Sequence, residues 1–142
     1  MKTINLIIGE RSNISLTIKK KLKNSYLVSS NDILKNNNNS KIYKNDKKYN
    51  LIINSFYPSF KLKKDLNLDL FINKSILILS KLLETFRNKK INKIIYTSSS
   101  SVYNLSRIDI SNRNIMNKEI YSLTKYLCER ILAKYTQKHR IK

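Results

Sequence analysis

Short apolar runs alternate along the chain with segments whose apolar residues recur every three or four positions. The first run, Thr3 to Ile8, is followed by Gly9 and then by apolar residues at helical spacing over 13–22. A short continuous run indicates a buried strand, and a spacing of three or four indicates an amphipathic helix. The chain is therefore predicted to begin with a strand, a turn and a helix.

The same alternation continues to the end of the chain. Further strands are predicted at 26–28, 50–54 and 93–97, with a weak one around 40–46, and helices at 66–87 and 117–137. The four asparagines at 36–39 indicate a loop, because they cannot build a core. Pro58 has no amide hydrogen for a strand ladder and ends the strand at 50–54.

Strands that are apolar throughout, rather than at alternate positions, are typical of a parallel sheet with helices on both faces. The chain of 142 residues is long enough for one such α/β domain with one core. In a doubly wound sheet of this kind, ligands bind at the carboxyl ends of the strands, where the strand order reverses. The turns after Ile8 and Ile53 and the serines after Tyr96 are expected at that edge.

The chain is strongly basic, with 29 Lys and Arg against nine acids and a net charge of +20. A charge of this size attracts nucleic acid or anionic membrane surfaces. The basic residues are scattered through almost every segment, without zinc-finger spacing or an aromatic run typical of RNA-binding sheets. A basic nucleic-acid-binding module stays open as an alternative, but it is not the favoured interpretation.

No uncharged segment approaches the ~20 residues of a membrane helix, and the opening apolar run is too brief for a secretory signal. Cys128 is the only cysteine, so no disulfide within the chain is possible. A reducing cytoplasm is the simplest location for such a chain. One His and one Cys also argue against a zinc site. We expect a cytoplasmic protein without metal, with Cys128 in its core.

Tyr121 and Lys125 lie four residues apart on the last predicted helix and therefore share one face. An ammonium beside a phenol favours the phenolate, which lowers the phenol pKa and suits the pair for acid–base catalysis. Two further Tyr-x-x-x-Lys pairs, at 43/47 and 57/61, show that this spacing also arises by chance. The pair at 121/125 differs because a serine-rich strand end precedes it by some twenty residues.

Together with the segment TSSSSVY at 97–103, this pair resembles the extended short-chain dehydrogenase/reductase family, which contains the NAD-dependent sugar-nucleotide epimerases and dehydratases. In that family the catalytic hydroxyl stands four positions before the tyrosine of the Val-Tyr pair, which corresponds to Ser99. The resemblance implies Tyr121 as the acid–base catalyst. It also implies that Lys125 binds the nicotinamide ribose and lowers the tyrosine pKa.

The resemblance extends along nearly the whole chain. LIIGERSNIS at 6–15 takes the place of the family's Gly-x-x-Gly-x-x-Gly loop, LIINSFYP at 51–58 that of Val-x-His-x-Ala, and FINKSILIL at 71–79 that of Asn-Val-x-Gly-Thr. These segments imply a Rossmann-type sheet that binds NAD or NADP, with a nucleotide sugar as substrate. The implied cofactor site comprises Gly9, Arg11, Ser12, Asn13, Ile14, Ser15, Asp32, Asn54, Asn73, Tyr121 and Lys125.

The glycine loop departs from the family pattern at two positions. Ser12 and Ser15 replace the glycines that allow close approach of the pyrophosphate and of the helix. Serine is small, so we expect weaker cofactor binding, or hydrogen bonds from these hydroxyls to phosphate oxygens at the helix N-terminus. Asp32, near the usual position of a ribose-binding acid, is expected to bind the adenosine ribose. Arg11 either favours the extra phosphate of NADP or faces solvent.

Members of that family usually continue into a C-terminal domain that binds the sugar nucleotide. Residues 1–142 are therefore predicted to form a single truncated Rossmann domain, incomplete at the C-terminus and without the substrate domain. The strand at 93–97 is expected at an open sheet edge, which a second chain or a homo-oligomer would cover. A fragment, a split protein and a decayed copy stay open, as does a non-catalytic nucleotide-binding remnant or scaffold.

Overall fold

The computed structural model describes residues 3–35, 47–54, 56, 68–102 and 113–142. Strands and helices alternate through these residues, in the order β1 (Thr3–Ile8), α1 (Asn13–Lys21), β2 (Ser25–Val28), α2 (Ser30–Leu34), β3 (Lys48–Ile53), α3 (Leu68–Thr85), β4 (Lys90–Tyr96) and α4 (Arg113–His139). The weak strand predicted around 40–46 lies outside the described residues. The other predicted strands and helices are confirmed, with shifts of a few residues at their ends.

The strands form one parallel sheet in the order β2-β1-β3-β4. The chain leaves β1 toward one side to form β2 and returns to the other side of β1 to form β3. The strand order therefore reverses between β1 and β3, which is where open α/β sheets bind their ligands. The doubly wound, Rossmann-type α/β fold predicted from the sequence is confirmed.

One face of the sheet carries the main core. Alternate residues of β1 and β3 pack there against the apolar faces of α3 and α4, and Tyr49 meets Phe86 edge to face at 5.1 Å between ring centroids. Both rings are wholly buried, and Cys128 of α4 is only 1% exposed. The prediction that Cys128 belongs to the core is confirmed.

The opposite face carries a row of asparagine amides across three strands. Asn50 donates to Asn5 at 2.8 Å, and Asn92, at a register shift of β4, donates to Asn50 at 2.9 Å. Ile7 on this face is fully buried, whereas Ile95 of β4 is 46% exposed. Among the residues that the structure describes, the expected cover on both faces is therefore present over β1 and incomplete over β4.

β4 is an edge strand, as predicted. Its Ile94 amide points away from β3 and donates to the carbonyl of Lys142 at 2.9 Å. The edge is thus partly paired by the chain's own residue 142, a contact that the sequence did not indicate.

The helices show one element that the apolar pattern did not predict. α2 spans five residues, with Ile33 as its buried side chain, which is too short for a helical repeat to show in the sequence. α3 presents a broad apolar face to the sheet, as its spacing predicts. Within the part of the chain that the structure describes, no helix has both the length and the apolar character needed to cross a bilayer.

Candidate active site

A tight turn joins β1 to α1 at the reversal point of the sheet. Gly9 adopts a φ of 105°, a conformation that costs glycine little and other residues considerably more. Its amide donates to the Val28 carbonyl at 3.1 Å, and its carbonyl accepts from the Ser12 amide at 3.1 Å. The turn delivers the chain directly into α1, whose N-terminus opens at the carboxyl edge of the sheet.

Ser12 is the N-cap of α1. Its Oγ accepts from the Ile14 amide at 3.2 Å, which satisfies one of the first-turn N–H groups that have no acceptor within a helix. The first-turn amides and the helix dipole favour an anion at this end. Ser15, one turn into the helix, is wholly buried between α1 and the sheet.

Asn54, directly after β3, is bonded to the end of β1, to α1 and to the residue that follows β4. Its Nδ2 donates to Ser12 Oγ at 2.5 Å and to Ser15 Oγ at 3.2 Å, while its Oδ1 accepts from Thr97 Oγ1 at 2.9 Å. Its backbone amide donates to the Ile8 carbonyl at 3.1 Å. Asn54 is 7% exposed, so these bonds supply the partners that a buried amide requires.

A cleft of about 770 Å³ opens above these residues, within the usual size range of ligand sites. It gathers residues from the Gly9 turn, the ends of β2, β3 and β4, and the inner faces of α3 and α4. Seven of the predicted site residues line it: Gly9, Arg11, Ser12, Ile14, Asn54, Tyr121 and Lys125.

Lys125 lies at the floor of the cleft. Its Nζ donates to the Thr97 carbonyl at 2.8 Å and to the Asn54 carbonyl at 3.4 Å. The ammonium is 4.8 Å from the ring centroid of Tyr96 and 5.9 Å from that of Tyr121. An ammonium has three N–H donors, so these two bonds leave one for a ligand or for the phenol.

Burial controls the pKa values of this pair. It raises the pKa of the Tyr121 phenol. It lowers the pKa of the Lys125 ammonium, a shift that the nearby Cys128 and Glu129 oppose. Desolvation of Tyr121 outweighs any lowering by Lys125 in this arrangement, in which the ammonium donates to the Thr97 and Asn54 carbonyls, so the expectation that Lys125 lowers the phenol pKa stays a prediction.

Tyr96 and Cys128 form a second pair in the cleft wall. Burial is the main cause that raises the pKa of Tyr96, and the neighbouring thiol of Cys128 adds to it. Burial also raises the pKa of Cys128, against the opposing effects of its hydrogen bond with Tyr96 and of Lys125. Both groups are therefore protonated at neutral pH, and Tyr96 offers the cleft a hydroxyl and not a phenolate.

Five predicted site residues are not among those that line the cleft. Ser99, half-buried, has its Oγ 2.8 Å from Ser101 Oγ and accepts from the Ser101 amide at 3.3 Å. Asp32 accepts from the Ser29 amide at 3.1 Å and so caps α2. Asn13 and Asn73 are exposed on α1 and α3, and Ser15 is enclosed beneath the loop.

Sequence reasoning missed two hydroxyls at the end of β4. Thr97 joins the Asn54 bonds, and Ser98, rather than Ser99, is the serine of the run that lines the cleft. The serine-rich segment begins at the cleft. The sequence did not indicate which of its hydroxyls faces the cleft, because that depends on the residue at which the chain leaves the strand.

A parallel sheet whose strand order reverses beside a glycine turn and a helix N-terminus is the arrangement of α/β folds of the Rossmann type. Comparison with known protein families then identifies the family to which this fold belongs. The chain matches the NAD dependent epimerase/dehydratase family over residues 12–142 and belongs to that family. The family is enzymatic, and its description implies a nicotinamide cofactor. No protein with a curated description matches the chain.

The residues at this edge fit the phosphates of a dinucleotide. Gly9 has no Cβ to fill the turn, and the N-terminus of α1 favours negative charge. The side chain of Ser15 is enclosed, and Asn54 donates to its hydroxyl, so the serine at the third glycine position does not narrow the cleft. Ser12 is the substitution that a ligand would contact.

Proposed function

We propose that the protein is an NAD(P)-dependent oxidoreductase of the epimerase/dehydratase type that acts on a nucleotide-linked sugar. The observation that carries this proposal is that one cleft contains the Gly9 turn, the N-terminus of α1, Tyr121 and Lys125. Dinucleotide phosphates would lie against Gly9, Ser12 and the first turn of α1. Oxidation at a sugar carbon then permits epimerisation, dehydration or reduction.

Tyr121 is the proposed acid–base catalyst. In its phenolate form, Tyr121 Oη accepts the proton of the sugar hydroxyl and returns it when the carbonyl is reduced. A nicotinamide cofactor, when bound, supplies the hydride acceptor. Lys125, held by the Thr97 and Asn54 carbonyls, keeps one N–H with which it would bind the nicotinamide ribose. A ligand that brings this N–H closer to Tyr121 would lower the phenol pKa.

Ser99 is the proposed donor to the same substrate oxygen. Its Oγ already accepts from the Ser101 amide. Where Ser101 Oγ also donates to it, the Ser99 proton is free to serve the substrate. Ser98, unlike Ser99, is among the residues that line the cleft and is the natural control for this role.

The proposal is tested first by cofactor binding. Purified protein is titrated with NADH and NADPH at moderate salt while nicotinamide fluorescence is recorded. We expect saturable binding that Gly9→Val abolishes, because a branched side chain cannot adopt the φ of 105° without strain and would project into the turn. Ile18→Val, on α1 away from the turn, should bind as the wild type does. Absence of binding in the wild type would contradict the proposal.

Catalysis is tested with a panel of nucleotide sugars and NAD or NADP, followed by the absorbance of the reduced cofactor. Loss of an acid–base catalyst typically costs about 100-fold or more in rate, so Tyr121→Phe should lose at least that. Tyr126→Phe, a tyrosine 39% exposed on the same helix, should keep its rate. Ser99→Ala is expected to lose more activity than Ser98→Ala, and the reverse order would transfer the role to Ser98.

A non-catalytic nucleotide-binding remnant is the second candidate. The raised pKa of Tyr121 and the attachment of Lys125 to strand carbonyls favour it, because neither arrangement activates the phenol. This alternative predicts dinucleotide binding without turnover, and Tyr121→Phe would then leave all measured properties unchanged.

A further inference from the structure

The hydrogen bonds at Ser12 determine the direction in which its hydroxyl can act. Ser12 Oγ accepts from the Ile14 amide at 3.2 Å and from Asn54 Nδ2 at 2.5 Å. A hydroxyl oxygen has two lone pairs and one proton. Because both lone pairs are engaged, the proton remains, and Ser12 can act on a ligand in the cleft only as a donor.

The orientation of the Asn54 amide produces this arrangement. The Thr97 hydroxyl lies 2.9 Å from Asn54 Oδ1 and 3.0 Å from the Ile53 carbonyl, and its donation to Oδ1 matches the orientation in which Nδ2 faces the two serines. One Nδ2 hydrogen is directed to Ser12 and the other to Ser15. The amide is more than nine-tenths buried, so these protein partners, rather than bulk water, satisfy its donors and acceptor.

The two serines differ in what they can reach. Ser15 is 0% exposed, whereas Ser12 is half-buried and lines the cleft beside the N-terminus of α1. Ser12 therefore adds one directed O–H donor at the place where the first-turn amides favour an anion. Oxygens of a phosphate or diphosphate are the acceptors that match a donor and a helix N-terminus together.

We propose that Asn54 is a positioning residue that holds the Ser12 hydroxyl as a hydrogen-bond donor to the phosphate oxygens of the ligand. This inference rests on the proposed dinucleotide site and gives it a specific feature. The hydrogen bond from the Ser12 hydroxyl to a phosphate oxygen takes the place of the close backbone approach that a glycine would allow at this position. Restoring glycine at position 12 should consequently weaken phosphate binding, although glycine is the residue of the related loops.

The test is a double-mutant cycle with Asn54→Asp and Ser12→Ala. Aspartate has nearly the shape of asparagine but only acceptor oxygens, so Ser12 would turn its proton inward and donate to residue 54. Dissociation constants are measured for NADH by fluorescence, and for ADP and adenosine by competition or calorimetry. Asn50→Asp introduces the same charge four residues earlier in β3, in the asparagine row on the sheet face away from the main core, and controls for charge.

We expect Ser12→Ala and Ser12→Gly to weaken NADH and ADP binding about tenfold, the effect of one hydrogen bond to a charged acceptor. Adenosine, which has no phosphate, should change less than about twofold. Asn54→Asp should cost at least tenfold in the wild-type background but less than about threefold when Ser12 is already alanine. Thermal unfolding of each variant identifies any loss that comes from misfolding.

Equal losses from Asn54→Asp in both backgrounds would overturn the inference, because Asn54 would then act through charge or fold alone. Tighter binding by Ser12→Gly would overturn it as well. If the wild type binds ADP with the expected dependence on Ser12 but does not bind NADH, the proposed oxidoreductase function fails and the inference stands. If NADH binds and the cycle shows no coupling, the function stands and the inference fails.

Discussion

Two polar side chains, Asn54 and Lys125, hold the elements of the candidate site together. Asn54 bonds to β1, α1 and β4, and Lys125 of α4 bonds to the carbonyls that follow β3 and β4. Polar groups are stable inside a protein only when their donors and acceptors have partners. These contacts leave the Ser12 proton and one N–H of Lys125 available to a ligand.

Tyr96 should limit the stability of the protein at alkaline pH. Its pKa in the folded state is raised above the ordinary value of 10.0, chiefly by burial. Above that pH the unfolded chain releases the phenol proton while the folded chain keeps it, so the unfolded state binds fewer protons and stability falls as pH rises. Tyr96→Phe removes this contribution. The stability of this variant should therefore fall less than that of the wild type between neutral pH and about pH 10.5.

Urea unfolding midpoints at the two pH values measure this effect. Tyr26→Phe, in which the tyrosine removed is 46% exposed, is the matched control and should decline as the wild type does. If the unfolding midpoint of Tyr96→Phe declined as much as that of the wild type, the loss of stability at alkaline pH would come from other groups. Cys128 is one of them, because burial also raises its pKa.

At the scale of elements, a capping box explains why a five-residue helix follows β2. Ser29 Oγ accepts from the Asp32 amide at 3.1 Å, and the Asp32 carboxylate accepts from the Ser29 amide at 3.1 Å. So short a helix is unstable in isolation, and the cap together with the burial of Ile33 holds it in place. The carboxylate expected to bind a ribose is thus already bonded within α2.

Asp32→Ala is therefore expected to act on stability rather than on cofactor affinity. Loss of a cap typically costs about 1 kcal/mol in unfolding free energy. The dissociation constant for NADH should change less than about twofold, which is under 0.5 kcal/mol. Chemical denaturation and the fluorescence titration measure the two quantities on the same sample. A tenfold loss of affinity at unchanged stability would instead assign Asp32 to the ligand.

At the scale of the whole molecule, α4 presents two apolar faces. One contains Cys128 and Leu132 and packs into the core. The other contains Leu123, Leu127 and Ile131, spaced by four residues and 45%, 38% and 36% exposed, with Tyr126 beside them. A continuous exposed apolar stripe on a folded domain usually marks an interaction surface. We propose this stripe as the contact surface of a homo-oligomer, one of the two kinds of partner that the open edge of β4 left possible.

Light scattering after size-exclusion chromatography tests that expectation. We expect the wild type to associate at micromolar concentration, and the double variant Leu123→Lys, Leu127→Lys to be monomeric, because burying two ammonium groups at an apolar interface is costly. Leu16→Lys, at a leucine 41% exposed on α1, should keep the wild-type mass. A monomeric wild type would contradict the expectation.

Most of the fold could be predicted from local patterns. Continuous apolar runs located β1 to β4, and helical spacing located α1, α3 and α4, because each element must present a regular apolar face to its neighbours. α2 was missed since its five residues contain too little periodicity. The incomplete cover over Ile95 was missed because the apolar run at 94–96 resembles the end of a covered strand such as β1.

By itself, the sequence determined the order of the elements, the parallel α/β class and the family, all of which depend on periodicity and on motifs within short segments. Only the tertiary structure decided which hydroxyls reach the cleft and which groups hold them. Asn54 meets Ser12 and Thr97 across 42 and 43 residues of chain, and the burial that raises the Tyr121 pKa comes from packing of separate elements. Such distances and burial exist only after the elements have packed together.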